Sequence, residues 1–341
     1  MNFVPQNILV IDFGQLGDVV LSLPALHAIR LKFPHARITV AVGQPGKAVV
    51  ELAGCADDLL IVDRVALRDG AKPLSLWRIG RLVREVRRRH FDFVIDLHSL
   101  SETNLLGWLS GAQHRLYARR PHRSLDFLSN FRPRPPVEDQ QRHAVDRYLD
   151  VIKPLGIGDI ARAPRLPVRV EDQRAVEQLL RKHKLPADAP LVGMFAGAGH
   201  PSRRWPLTRF AELASCFERN DGLRVLLFVG PEERLLLREM RALFPRSVVI
   251  LDQLTIPQLA AALAPLAVFV SNDTGPLHIA AAVGAPTVML LGHPTNQAFV
   301  PIGERHRVIH SQQIEEISVD EAYAVTRSVL TAERAASLFA R

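Results

Sequence analysis

The residues best equipped for chemistry lie in Val270-Ser-Asn-Asp-Thr-Gly-Pro-Leu-His-Ile-Ala-Ala-Ala-Val-Gly-Ala-Pro286. An apolar run stops at Ser271, Asn272 and Asp273, then turns through Gly275-Pro276 into an alanine-rich stretch. A helix starting there leaves N–H groups without intrahelical partners, a ready site for an anion. Asp273, Thr274, Gly275 and Pro276 form the turn, and His278 shares a helix face with Thr274 four positions earlier. A histidine so placed serves either as a satisfied core residue or as a ligand contact, and the neighbouring Asp273 and Thr274 favour contact.

Gly197-Ala-Gly-His-Pro-Ser-Arg-Arg-Trp-Pro206 is a second such segment. Glycines let backbone approach a ligand, and Arg203 and Arg204 precede a helix for which Pro206 suits the first turn. Guanidinium forks match phosphate oxygens, and a charge pair about 4 Å apart at an effective dielectric of 20 interacts by roughly 4 kcal/mol before desolvation. The alternative is two surface arginines beside a core Trp205.

A third candidate is Asp18, which follows the turn Gly14-Gln15-Leu16-Gly17 after the apolar run Asn7–Asp12. Its carboxylate can cap the helix that begins there or take a proton from a sugar hydroxyl. The turn lacks the full G-x-G-x-x-G spacing of a dinucleotide fingerprint.

These segments need elements to hold them. At 341 residues the chain suggests two domains, and 48% hydrophobic with 23% charged residues fits a folded protein. Strands are expected at Asn7–Asp12, Arg37–Val42 and Phe91–Leu97, with helices over Val19–Phe33 and around Leu76–Val86. After the proline-rich stretch Pro154–Pro167 and a helix near Glu171–His183, the pattern restarts. Strands are expected at Leu191–Phe195, Arg224–Val229, Val248–Leu251, Ala267–Ser271 and Thr287–Leu291, with a helix over Pro206–Arg219. Alternating strands and helices indicate an α/β fold of two doubly wound, Rossmann-like domains, residues 1–165 and 166–341, facing across a cleft.

The formal net charge is +8. Residues 1–165 carry 24 Lys and Arg against 17 Asp and Glu, so the excess lies there, densest in Arg84–Arg89 and Arg115–Arg134. Such a surface suits an anionic partner or simply solvent. Cys55 and Cys216 are far apart and read as free thiols of a reducing compartment. The longest uncharged apolar run, Leu259–Val270, contains Pro265 and is too short to span a bilayer, and no signal peptide is recognised. A cytoplasmic protein, with peripheral contact at the inner face of the membrane, is the expectation.

Asn272-Asp-Thr-Gly-Pro-Leu-His278, taken with Gly17-Asp18 and Arg203-Arg-Trp-Pro206, resembles the ADP-heptose:lipopolysaccharide heptosyltransferases, glycosyltransferase family 9. The resemblance covers nearly the whole chain. It implies a GT-B fold, an acceptor-binding first domain, a second domain binding an ADP-activated heptose, and an inverting reaction. It implies Asp18 as general base and Arg203, with Arg204, at the diphosphate. Asp273, Thr274, Gly275, Pro276 and His278 fall on the donor turn, and Gly14, Gln15 and Gly17 on the acceptor and sugar turn. Gly230-Pro-Glu-Glu233 resembles the segment whose acidic residue holds the ribose, with Glu232 the choice, and Leu254 is a candidate adenine wall. The last helix is a candidate to pack back on the first domain. Asp12 stands where the family commonly has a basic residue, Gln15 where a small one is usual, and Gly292-His-Pro-Thr-Asn296 replaces a G-P-T-x-P loop.

No D-x-D motif is present, so no metal and no cofactor are expected. The expected partners are a nucleotide-sugar donor and an anionic glycolipid acceptor. Rival readings are another nucleotide sugar or acceptor within the family, a non-catalytic nucleotide-sugar binder and a Rossmann oxidoreductase. A nucleic-acid-binding protein is disfavoured by 6% aromatic residues and no recognition motif.

Overall fold

The structure is a computed structural model and describes residues 3–62, 73–122, 124–185, 190–292 and 294–339. It divides into two compact units, Met1–Pro164 and Arg165–Arg341. In the first unit the elements run β1 (Asn7–Asp12), α1 (Leu16–Lys32), β2 (Arg37–Gly43), α2 (Gln44–Ala53), β3 (Asp58–Val62), α3 (Pro73–Arg88), β4 (Phe93–Asp96), α4 (Ser101–Leu109), β5 (His114–Tyr117) and α5 (Ala144–Ile152). The strands pair in parallel in the order β3-β2-β1-β4-β5.

The second unit repeats the plan through α6 (Val170–Lys182), β6 (Leu191–Phe195), α7 (Leu207–Asp221), β7 (Arg224–Phe228), α8 (Leu237–Leu243), β8 (Val249–Leu251), α9 (Ile256–Leu263), β9 (Val268–Asn272), α10 (Gly275–Ala282), β10 (Thr287–Gly292), β11 (His306–Ser311) and α11 (Val319–Phe339). Its parallel order is β11-β10-β9-β6-β7-β8. Both are Rossmann-like sheets, as expected of a GT-B-type fold. Each has one point where the strand order reverses, between β1 and β4 and between β6 and β9. Crossovers leave those neighbours in opposite directions, which opens a crevice beyond their carboxyl ends.

The central strands are buried on both faces, so they read as continuous apolar runs: Ile8-Leu-Val-Ile11, Val192-Gly-Met-Phe195 and Val268-Phe-Val270. β3, β5 and β11 were not expected, although β3 carries the apolar run Leu59-Leu-Ile-Val62. They lie at sheet edges, where a partly exposed strand mixes charge with apolar residues, as in His114-Arg-Leu-Tyr117. Helix α11 packs on α7, β9 and β11 of its own unit. Among the described residues no helix is long and apolar enough to cross a membrane.

Gly193, in mid-β6, is a packing requirement. A Cβ there would stand 2.4 Å from Leu266 Cδ1 and 2.8 Å from Phe269 Cδ2. Forcing a methyl into a filled core costs about 1–3 kcal/mol. Gly193→Ala is therefore expected to lower the unfolding free energy by about that much, read as a lower urea midpoint at unchanged slope.

Candidate functional site

Both reversal points gather the polar residues of their sheets. In the first unit β1 ends at Asp12, which is fully buried. Its Oδ1 accepts the Gly14 N–H at 3.1 Å and faces His98 Nδ1 at 3.5 Å, while Oδ2 accepts the Ser22 hydroxyl at 2.6 Å. Burial works against its charge, but the imidazole and these donors outweigh burial and hold its carboxyl below the usual range.

The adjacent strand β4 ends at Asp96, also fully buried. Its Oδ1 accepts the N–H groups of His98 at 3.0 Å and Ser99 at 2.7 Å, and Asn104 donates to Oδ2 at 2.8 Å. Here burial prevails and pushes the carboxyl up. Ser99 takes φ 45°, a left-handed conformation uncommon outside glycine, so the turn carrying His98 is sharply bent.

Asp18 lies in the first turn of α1, half-buried, and its Oδ2 accepts the Gln15 N–H at 2.8 Å. The capping contact expected of it is thus present. Gln15 is exposed, Gly17 half-buried and Gly14 buried. Tyr148 on α5 is buried; its ring stacks on His98 with centroids 6.4 Å apart, and burial, then the charges of Asp18 and Asp12, push its hydroxyl well up.

In the second unit Asn272, at the end of β9, ties three chain segments together. Its side-chain oxygen accepts the Trp205 N–H at 3.1 Å, and its amide donates to the Gly197 carbonyl at 2.8 Å and the Ala196 carbonyl at 3.3 Å. Trp205 is fully buried and donates through Nε1 to the Ile317 carbonyl at 2.9 Å. Beyond this knot, Asp273 lies between two cationic or protonatable groups, Arg203 Nη1 at 3.5 Å and His278 Nε2 at 3.6 Å. Thr274 bonds Ser271 through its hydroxyl at 2.9 Å and stands just before α10, whose first residues are Gly275 and Pro276. The structure thus brings together Arg203, Asp273 and His278, with His278 buried and Arg203 exposed.

Arg204 is half-buried and donates to the Ala198 carbonyl at 3.2 Å. The ends of β6 and β7 enclose a carboxylate, but it is Glu233. A Cβ at Gly197 would stand 2.2 Å from Glu233 Oε1, and one at Gly230 2.7 Å from its Oε2. Only glycine permits that approach. Burial, reinforced by the charge of Glu232, pushes Glu233 up. Glu232 itself is exposed: the chain enters a 3-10 turn at Glu233, which directs the second acid of the pair inward. Leu254 is half-buried in the loop after β8. In the Gly292–Asn296 loop, His293 lies outside the described residues. Among the described residues no cluster of three His, Cys, Asp or Glu forms a metal site.

The expected basic surface divides. On α3, Arg81, Arg84, Arg87 and Arg88 are exposed, with Trp77 beside them. Arg115 instead bonds the carbonyls of Ala112 and Leu128, and Arg120 pairs with Glu138 at 3.0 Å. Arg123 lies outside the described residues.

Asn272→Ala would strand a buried N–H and two buried carbonyls. At about 1–3 kcal/mol for each group left without a partner, partly offset by relaxation, the variant is expected to lose more stability than Ser271→Ala. Paired urea melts check this.

The family model for glycosyltransferase family 9 (heptosyltransferase) matches residues 79–325. Lipooligosaccharide heptosyltransferase 2 of Haemophilus influenzae is 25% identical over 332 residues, covering 92% of this chain and 91% of that protein. A glycosyl transferase family 9 structure from Veillonella parvula superposes with a TM-score of 0.83 at 25% identity, over 97% of this chain and 99% of that one. The structure of Escherichia coli ADP-heptose LPS heptosyltransferase II gives 0.79 at 20% identity, over 96% and 100%.

Proposed function

Because the chain belongs to glycosyltransferase family 9, the heptosyltransferase family, we propose that it moves a heptose from an ADP-sugar to a hydroxyl of a lipopolysaccharide core acceptor, inverting the anomeric carbon without a metal ion. The observation that carries this reading is Asp273 held between Arg203 and His278 at the start of α10.

In this reading the second unit takes the donor. Arg203, Arg204 and the free N–H groups of α10 receive the diphosphate; Glu233 accepts from the ribose hydroxyls and Leu254 lies against the base. The acceptor hydroxyl gives its proton to Asp18 in the first unit, and its oxygen attacks the anomeric carbon. The bond from that carbon to the diphosphate oxygen breaks, and the electron pair leaves with ADP. Fixed donors aimed at the leaving charge supply what a cation supplies elsewhere.

Two tests follow from this division of labour. Arg203→Ala and Asp273→Ala are both expected to weaken ADP binding by calorimetry. Asp18→Asn should bind ADP as the parent does and melt almost normally, since asparagine caps about as well as aspartate. Its transfer rate should fall at least about 100-fold, the scale of a lost general base. Parental rates in that variant would leave Asp18 only its bond to Gln15. Separately, heptose transfer is expected to persist in excess EDTA, and activity lost on chelation and restored by magnesium would overturn the leaving-group assignment.

A further inference from the structure

Three side chains, only one of which the reaction above employs, surround the point where Gly14 has no side chain. A Cβ there would stand 2.4 Å from Asp18 Cβ, 3.1 Å from Asp12 Oδ1 and 3.2 Å from His98 Cε1. His98 is fixed from several sides. Its N–H is held by Asp96, its ring stacks on Tyr148, and its Nδ1 edge faces the buried Asp12 carboxylate.

That last contact, at 3.5 Å, bears on where the ring holds its proton. An ionised carboxylate only accepts, so the nitrogen facing it carries the proton. A neutral imidazole then presents Nε2 as a bare lone pair. The side chain keeps 13% of its surface exposed, so the ring is not sealed in. Asp18 also presents a carboxylate beside Gly14. The nearby cations, Arg120 and Arg147, are drawn to Glu138 at 3.0 and 3.3 Å. The side chains that surround Gly14 thus offer hydrogen-bond acceptors, which suit hydroxyl donors.

We propose that His98, oriented by Asp12, is a specificity-determining residue for the acceptor: its Nε2 accepts a hydrogen bond from a hydroxyl neighbouring the one that Asp18 deprotonates. The turn thereby reads a pair of adjacent sugar hydroxyls. This rests on the glycosyl-transfer reading, and Asp12 acts only by positioning.

Two measurements on the full chain test it. In protein labelled with nitrogen-15 at histidine, the neutral form of the His98 ring should carry its proton on Nδ1. A ring protonated on Nε2, or on both nitrogens, at the assay pH overturns the proposal. In steady-state assays with ADP-heptose and deacylated lipopolysaccharide core, heptose-free or heptose-bearing, whichever the parent accepts, H98F should raise the KM for the saccharide about tenfold, the scale of one hydrogen bond, and leave the KM for ADP-heptose where it was. H98Q, whose amide oxygen can accept, should recover most of the loss. An unchanged saccharide KM in H98F overturns the assignment, and the nitrogen measurement decides it if that variant fails to fold. A parent enzyme that transfers no heptose would instead bring down the glycosyl-transfer reading, and this inference with it, whatever the tautomer.

Discussion

A parallel sheet wound in both directions from two neighbouring strands cannot cover the carboxyl ends of those strands. At that gap the crossovers diverge, and helix starts leave N–H groups unpaired. Both units obey this constraint, and most of the candidate site residues lie at one of the two gaps. β1 and β4 deliver Asp12, Asp18, Asp96 and His98; β6 and β9 deliver Gly197, Arg203, Asn272 and Asp273. The sites follow from strand order before any residue is chosen.

Burial at the gaps gives acidic residues different fates. Asp12 and Asp96 are both wholly buried at adjacent strand ends, yet one is held low and the other pushed up. The difference is the company each keeps: around Asp12 the His98 ring, the Ser22 hydroxyl and the Gly14 N–H together outweigh burial, whereas burial prevails over the donors to Asp96. Environments that separate two carboxyls in this way are how proteins assign distinct tasks to one side-chain type. Glu233 follows Asp96, raised by burial and by its neighbour Glu232.

The strand-to-helix turns were legible because glycine, proline and short polar residues interrupt apolar runs, as in Asn272-Asp-Thr-Gly-Pro276. Membership of the family was legible from the same segments. Strand β5 was not, because His114-Arg-Leu-Tyr117 has no continuous apolar signal. The pairing of Asp12 with His98 spans 86 positions and exists only because β1 lies beside β4, which no local pattern encodes. Asp96 and His98 had one available sign, the polar Asp-Leu-His-Ser99 that closes an apolar strand. Which of Glu232 and Glu233 turns inward depends on a single turn of 3-10 helix, a rotation that residue types alone leave open.

The Trp205–Asn272 knot also bears on how the chain is made. The Trp205 N–H waits for Asn272, 67 residues downstream, and its indole nitrogen waits for Ile317, 112 residues downstream. At roughly 5–20 residues per second, a ribosome leaves that indole without its partner for on the order of ten seconds. Every strand of the first unit's sheet precedes residue 164 and is made before Trp205. During synthesis the second unit is therefore the aggregation-exposed half, its widest aromatic held open until almost the last helix emerges.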